Sequence, residues 1–596
     1  MPSVKSPDPV SVPGDPASVP GDPADVRTCA EDVLYLLGAH GVEVLFLNPG
    51  TDSAPVQEAA ATLAERGVPS PRVVACSFEA VALAAAHGYW QATGDPQAVW
   101  VHVDAGTQNL GAMVHNVLRD RAGVVVLAGR TPYGEGADDP GGRDTAIHWP
   151  QDVPDQAGIV RGYAKWTAEL VRAEDAPRVV GRAVQVAAGG IPGLAYLTIS
   201  RDVLMQPAAH ASRRRLRGWA RPHPPALAPR AVEEIADLLA AAERPVLVTT
   251  RIGRRPDGMA AVTRFAEVAG APVVGRPEAL NVASDHPLAR TRPSEAGPLL
   301  EQADLVVVVE ADVPWIPRMT RLAPGARVVH VDPDPLHASI PLWTYPVELS
   351  ACADGALALV QLADALEARR GLGTAAGNRW VERAQLPSAA DRTDHRSDAT
   401  RRPGPGGEAL GAADVLAVLG DLLDPDDVVV EEAVTNAGVV ADRLGRSRAG
   451  TLTSAGGAGL GWALGAAVGI RMALPDRRVV AVVGDGSFMF AVPTAALCLA
   501  AEAEAPFVTV VLDNDGYRAS RLPVFSLFPE GPSAAAHDAV GTRFRRPPDF
   551  AAVAEACGAL GRNVEEEAGL RAALEEAFAA VDAGRAAVVA ARIGRD

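Results

Sequence analysis

The chain has 596 residues, too many for one hydrophobic core, and at about 100–200 residues per domain it is expected to divide into about three to five. Its 48% apolar and 21% charged residues exclude wholesale disorder. Acidic residues outnumber basic ones 73 to 55, and the formal charge of −18 excludes a global attraction to nucleic acid or an anionic membrane, leaving room only for a local basic groove.

Residues 1–26 carry a doubled heptapeptide, Ser11-Val-Pro-Gly-Asp-Pro-Ala17 followed by Ser18-Val-Pro-Gly-Asp-Pro-Ala24. Prolines at that density neither join a ladder nor continue a helix, so a mobile tail is expected, and no basic segment leads into an apolar one as in a secretion signal. Three blocks follow in which short apolar runs alternate with helical stretches. The first, 27–209, has runs at 42–47, 73–76, 98–103, 124–128 and 194–199, separated by helical segments near 29–39, 79–93, 110–118 and 176–188. An Arg- and Pro-rich linker is expected at 210–229. The second block, 230–370, has runs at 245–249, 272–274, 305–309 and 328–331. A polar linker spans 371–411, and the third block, 412–596, has runs at 428–431, 479–483, 508–512 and 587–591. Continuous apolar strands bounded by helices predict parallel sheets covered on both faces, hence three consecutive α/β domains.

Cys29, Cys76, Cys352, Cys498 and Cys557 are scattered, with no Cys-x-x-Cys pair, so no disulfide framework is expected and a reducing compartment fits. No apolar run reaches the roughly 18 residues of a membrane span. The expected location is the cytoplasm.

The strongest local motif lies in the third block. Gly484-Asp485-Gly486-Ser487 sits at the carboxyl end of one predicted strand and Asn514-Asp515-Gly516-Tyr517 at the end of the next, with 29 positions from Asp485 to Asn514. Ligands of open parallel sheets bind beyond such ends. Glycines there let backbone N–H groups approach an anion, while Asp485, Asn514 and a carbonyl near Gly516 are hard oxygen donors of the kind Mg²⁺ takes beside diphosphate oxygens.

This pair of motifs resembles the signature of the thiamine diphosphate enzymes of the acetolactate synthase, benzoylformate decarboxylase and pyruvate decarboxylase superfamily. The resemblance implies that Asp485, Asn514 and the Gly516 carbonyl hold Mg²⁺ on the diphosphate of thiamine diphosphate, with Gly484, Gly486, Ser487 and Tyr517 around it. A distant segment, 73–94, is similar to the family's strand–Glu–helix–GYxxxTG stretch and puts Glu79 where a glutamate meets the cofactor's aminopyrimidine ring. A carboxyl group is needed there because proton exchange at the ring nitrogen makes the cofactor's own imino base accessible. Asn48-Pro49-Gly50-Thr51 resembles the benzoylformate decarboxylase NPGS segment and places Thr51 at the active-site serine. The segment 99–109 resembles that family's histidine-bearing strand and AGTxN turn, and His102 lies 23 positions after Glu79, as its catalytic histidine does. A histidine in an apolar strand is ordinarily a core residue; at a strand end beside Glu79 and Thr51, a proton-transfer role is expected instead. Segment 454–469 resembles the GGLG stretch before GDG, which makes Leu460 the residue under the cofactor and the Ala458 carbonyl an acceptor for its amino group. Thr435 and Asn436 line the diphosphate.

The implied architecture is pyrimidine-binding, middle and diphosphate-binding domains in that order, in a homodimer or homotetramer, since Glu79 of one subunit must meet the metal site of another. The implied activity is that of a lyase or carboligase acting on a 2-oxo acid, ending in protonation or in transfer to an aldehyde or ketone acceptor. Neither nucleic acid nor membrane is an expected partner. The adjacent His-His pair of pyruvate decarboxylases is missing and Ser520 stands near their later glutamate, which argues against simple acetaldehyde formation. Thr249-Thr250-Arg251-Ile252-Gly253 is no dinucleotide fingerprint, so no flavin is expected. His87 and His115 are expected to be structural, and Arg518 and Arg521, which follow the metal motif, to be exposed and solvated in preference to facing an anionic substrate. The polar loop 143–149 touches substrate, a neighbouring subunit or neither. Two other readings are a catalytically idle homologue, which would be expected to have lost Glu79 or a metal ligand, and a Rossmann oxidoreductase. The latter is disfavoured because the Gly456–Gly461 cluster opens no clear strand–turn–helix unit with an acidic residue about 20 positions on.

Overall fold

Every apolar run predicted to be a strand becomes one in the computed structural model, which describes residues 26–136, 138–208, 220–275, 278–369 and 410–594. The heptapeptide repeat and residues 209–219 and 370–409, which hold most of the expected linkers, lie outside the described residues. The first sheet contains β1 (Val44–Leu47), β2 (Arg72–Ala75), β3 (Gln97–Val101), β4 (Val124–Arg130), β5 (Trp166–Leu170) and β6 (Leu194–Ser200). The second contains β7 (Pro245–Val248), β8 (Val273–Val274), β9 (Leu305–Val309), β10 (Arg327–Asp332) and β11 (Leu349–Cys352). The third contains β12 (Val428–Glu432), β13 (Leu452–Ser454), β14 (Val479–Gly484), β15 (Val508–Asp513), β16 (Leu560–Val564) and β17 (Ala587–Arg592). All pairings within the three sheets are parallel.

Four strands, β5, β11, β13 and β16, were not expected from the sequence, and each is a sheet edge. The β11 residues Leu-Ser-Ala-Cys alternate between half-buried and exposed, and four of the five in β5 are only half-buried. An edge strand covers less of its surface and so carries no continuous apolar run.

Numbered within its own domain, the first sheet has the order 2-1-3-4-6-5 and so has the third; the second reads 2-1-3-4-5. In each, the connections leave in opposite directions from the first and third strands. The crevice between those strand ends is where doubly wound sheets bind ligands. The three crevices are β1/β3, β7/β9 and β12/β14.

The outer domains meet through two helices, Glu79–Thr93 and Ala463–Ala473. Both are rich in Ala and Gly, so their backbones approach closely: a Cβ on Gly88 would collide with the Ala466 backbone, and one on Gly469 with the Ala85 carbonyl. Beside this crossing lies Asp120, with no exposed surface. His87 Nε2 (2.6 Å) and Gln91 Nε2 (2.8 Å) donate to it, and Arg254 of the middle domain pairs with its other oxygen and donates to its carbonyl at 2.7 Å. Trp462 Nε1 of the third domain donates to His87 Nδ1 at 3.0 Å. Because an indole N–H only donates, His87 must carry its proton on Nε2. Burial, then the Arg254 charge, push its pKa down to about 3, which keeps the ring neutral. His87 is structural, as expected, and it joins domains.

Gly469→Val is expected to destabilise the protein by about 2 kcal/mol or more, read as a lower urea midpoint. Gly438→Ala, whose Cβ meets nothing within 4 Å, is expected to leave that midpoint unchanged or slightly raised.

Candidate active site

The β1/β3 crevice holds Thr51, Asp52 and His102. β3 ends at Val101, and His102 precedes the helix Val103–Asn109 with Val103 in the left-handed region at φ 36°. A β-branched residue adopts that conformation only when its surroundings impose it, and such turns concentrate at functional sites. His102 Nδ1 forms a short hydrogen bond with Asp52 Oδ1, and Gln151 Nε2 lies 3.3 Å from His102 Nε2. Asp52 is 4% exposed, wedged so closely behind β4 that a Cβ on Gly129 would overlap its carboxyl group. The Asp52 hydrogen bond, with the nearby Asp52 and Asp104 charges, holds His102 above the ordinary histidine pKa despite the opposing effect of burial. Thr51 is exposed and lines the same narrow cleft, with Arg130, His148 and Gln151. Sequence reasoning passed over Asp52 in favour of its neighbour; the signal was an acid two residues past a glycine turn at a strand end. His148 brings one end of the 143–149 loop to this cleft, and Arg143 fixes the loop by donating to the Pro132 and His148 carbonyls.

Glu79 begins the helix Glu79–Thr93 and is 5% exposed. Its Oε2 accepts from Asn109 Nδ2 at 3.2 Å, and a Cβ on Gly106 would stand 2.9 Å from Oε1. The short helix after His102 therefore positions Glu79 as well, through the Ala-Gly-Thr turn.

The β12/β14 crevice gathers the other candidates. Asp485, 1% exposed, accepts from Gly486 N (2.8 Å) and Gly516 N (2.6 Å). Burial pushes its carboxyl up to about 7, those two amides pulling against it and Asp513 adding to it. Asn514 Oδ1 is buried with no hydrogen-bond partner, and so is Asn436 Nδ2 past the adjacent β12. Asp515 (φ 70°) and Val434 (φ 45°) hold these turns in the left-handed region. Gly516 sits at φ 126° with the Thr542 carbonyl where a Cβ would be, so no other residue fits. Ser487 Oγ donates to the Glu432 carbonyl at 2.9 Å, Thr435 is half-buried, and the Tyr517 ring meets Phe544 edge-on at 5.0 Å. An orphaned carbonyl beside a buried carboxylate suits a hard cation, and an orphaned N–H donor suits an anion. The residues present fit a metal-bound diphosphate.

Ala458 is exposed and Leu460 half-buried, in a loop held by reciprocal bonds between Asn116 and Gly459 (2.8 and 2.9 Å). Two expectations need correcting here. The glycine loop does run from a strand, β13, into a helix, Ala463–Ala473; β13 was missed because three residues at a sheet edge carry little apolar signal. Arg521 is 4% exposed, not solvated, because the helix Arg518–Leu527 lies against the Val434–Asn436 turn; Arg518 is half-buried. Glu432, at the end of β12, accepts from Gly461 N, Trp462 N and Ala463 N at 2.7–3.2 Å and caps that helix.

Among the described residues, no hydrogen bond joins the Glu79 group to the Asp485 group within one chain, and no helix is long and apolar enough to cross a membrane.

Three parallel α/β domains with polar side chains collected at the strand ends of the outer two define a multidomain α/β protein. Residues 27–159, 232–362 and 433–591 match, in turn, the N-terminal TPP binding, central and C-terminal TPP binding domains of thiamine pyrophosphate enzymes, and the chain belongs to that family. Its cofactor is accordingly thiamine diphosphate. The chain is 28% identical over 565 residues to a benzoylformate decarboxylase of Pseudomonas aeruginosa, covering 91% of this chain and 95% of that one. It is 27% identical over 560 residues to an acetolactate synthase of Mycobacterium bovis, covering 91% and 84%. The fold matches the thiamine diphosphate-dependent 4-hydroxybenzoylformate decarboxylase of Rhodococcus jostii RHA1 with a TM-score of 0.76 at 24% identity, over 96% of this chain and 99% of that one.

The Asp52–His102 pair stabilises the fold fully below the ordinary histidine pKa, and that contribution is lost as pH rises through the raised value. Asp52→Asn is expected to move the His102 titration to lower pH, followed by histidine-selective isotope labelling; an unmoved titration would show that the carboxylate is not what holds the proton.

Proposed function

We propose that the protein is a thiamine diphosphate and Mg²⁺ dependent lyase or carboligase that cleaves a 2-oxo acid and either protonates the product or passes it to an aldehyde or ketone. The observation that carries this reading is the pair of unpartnered buried atoms, Asn514 Oδ1 and Asn436 Nδ2, on either side of buried Asp485. Leaving such groups unsatisfied costs about 1–3 kcal/mol each, a cost that a bound cation and anion would remove. Asp485, Asn514 and the Gly516 carbonyl would hold Mg²⁺; Thr435, Asn436, Gly484, Gly486 and Ser487 would surround the diphosphate, with Tyr517 beside them. Leu460 and the Ala458 carbonyl would support the rings. When bound, thiamine diphosphate would supply a carbon nucleophile for the keto group and a cationic ring to take up the electron pair left behind as CO₂ departs.

The chain's own groups divide the remaining work. Glu79, buried and hydrogen-bonded by Asn109, would exchange a proton with a bound aminopyrimidine. His102 lies at the cleft with Thr51 on its wall, and the Asp52 bond to its Nδ1 favours the protonated ring. A protonated imidazole beside Arg130 suits an anionic substrate and then a proton donation. Since Glu79 does not reach the Asp485 group within one chain, the complete site needs a second copy, hence a homodimer or a larger assembly. The relatives named benzoylformate decarboxylase and acetolactate synthase support this substrate class.

A panel of 2-oxo acids with thiamine diphosphate and Mg²⁺, followed for CO₂ and for ligated products with and without aldehydes, is expected to reveal turnover; none across the panel would leave only the idle homologue. Glu79→Gln is expected to lower turnover at least about 100-fold with the fold intact by circular dichroism. Asp485→Ala is expected to weaken cofactor binding in calorimetry, and unchanged affinity would remove its metal role.

A further inference from the structure

The middle domain contains a cluster that the proposed reaction does not use. His330 and Asp332 lie two apart on β10, so both project from the same face, and His337 returns from the following turn. All three are buried, at 0%, 0% and 2% exposure, and their ligand atoms lie within 4.8 Å of one another. They are the one such group of histidine, cysteine and carboxylate side chains among the described residues. We propose that His330, Asp332 and His337 bind a divalent transition-metal ion of the zinc class.

Geometry supports the assignment first. His330 Nε2 and His337 Nε2 face each other at 3.3 Å. Two nitrogens bound to one tetrahedral zinc at 2.0–2.1 Å lie about 3.3–3.4 Å apart, so the rings already stand at the spacing of two ligands. Asp332 Oδ2 is 3.9 Å from His337 Nε2, and a closure of about half an ångström brings it to the same spacing.

The proton inventory points the same way. Asp312 Oδ1 lies 3.4 Å from His337 Nδ1, the carboxylate-behind-histidine arrangement that puts the ring proton on Nδ1 and leaves Nε2 a bare lone pair. Without a cation, His330 must turn its own Nε2 proton toward that lone pair. The rest of the ring is then left without a proton, although the Pro335 backbone carbonyl hydrogen-bonds it. A metal between the two Nε2 atoms uses both lone pairs and lets His330 keep its proton on Nδ1.

The backbone and the neighbouring rings hold this arrangement. His337 sits at φ 46°, a left-handed conformation unfavourable for a non-glycine residue. The Trp343 ring stacks 4.8 Å from His330 and 4.6 Å from His337, its Nε1 donating to the Asp312 carbonyl at 2.7 Å, and it shields the cluster from water. Arg121 of the first domain binds both Asp332 oxygens, at 2.7 and 3.1 Å. Each carboxylate oxygen has a second lone pair, so Asp332 can serve the arginine and a metal together, with affinity below that of an unshared carboxylate. Arg251 pairs with Asp312 at 2.8 Å in the same way. Water takes the fourth position. A metal here would tie the His337 turn to β10 at the boundary with the first domain.

The test uses the full chain saturated with thiamine diphosphate and Mg²⁺, dialysed against Co²⁺ and, separately, Zn²⁺. One equivalent per chain is expected, and the Co²⁺ form is expected to show the intense visible bands of tetrahedral coordination. His330→Gln and His337→Gln are each expected to weaken binding more than tenfold, with exposed His223→Gln unchanged. The Co²⁺ spectrum of the unaltered protein requires no variant to fold. Weak octahedral bands alone, no retained zinc, or binding that survives both substitutions would overturn the assignment.

Discussion

A carboxyl group with no exposed surface holds the three domains in register. Asp120 has no access to water, so its hydrogen-bonding capacity must be met from within the protein. The first domain contributes His87 and Gln91, the middle domain contributes Arg254, and the third contributes Trp462, which acts on Asp120 only by fixing the His87 tautomer. Gln91 also reaches the Ser454 carbonyl and the Thr453 hydroxyl, so the same helix that carries Glu79 at its first turn is pinned to the third domain near its last. A shift of any one domain leaves a buried donor or acceptor unpaired. Breaking a buried charged pair of this kind costs about 3–5 kcal/mol. The helix crossing at Gly88 and Gly469 adds a steric constraint to the polar one.

With the domains fixed, topology decides where chemistry can occur. The first and third sheets have the same strand order, so each offers one crevice between its first and third strands. The first is filled by Asp52 and His102, a pair organised to hold a proton. The third is filled by Asp485, with Asn514 Oδ1 and Asn436 Nδ2 buried and unpartnered at the neighbouring strand ends. Two crevices of equivalent topology thus carry different sets of side chains.

Much of this was legible in the sequence because it is local. The inner strands are runs of Val and Ala long enough to name, and the GDGS and NDGY turns hold their residues at fixed offsets from strands. What escaped was decided by neighbours far along the chain. β5, β11, β13 and β16 are strands because another strand lies beside them, and their exposed sides dilute the apolar signal. Asp52 was passed over for Thr51 because the two differ only in which faces the ring of His102, fifty positions away. Arg521 reads as a surface charge until its helix is laid against the Val434–Asn436 turn. The Asp120 joint is assembled from residues spread over some 375 positions, and no periodicity encodes it.

Three of the histidines show how placement sets chemistry in one chain. His87 and His330 are fully buried, and desolvation, which penalises the charged ring, drives them to about 3 and about 4. His102 is also partly buried, yet its shift is upward, because Asp52 forms its bond to the ring nitrogen from a position of almost no exposure. A carboxylate offsets desolvation only when it contacts the ring. His87 also contacts a carboxyl group, but Arg254 pairs with that carboxyl and cancels its field. Asp332 is likewise held by Arg121 and still raises the His330 and His337 values, but burial outweighs it and both stay low. At His102 the balance reverses, because the carboxylate bonds directly to a ring that is only partly buried.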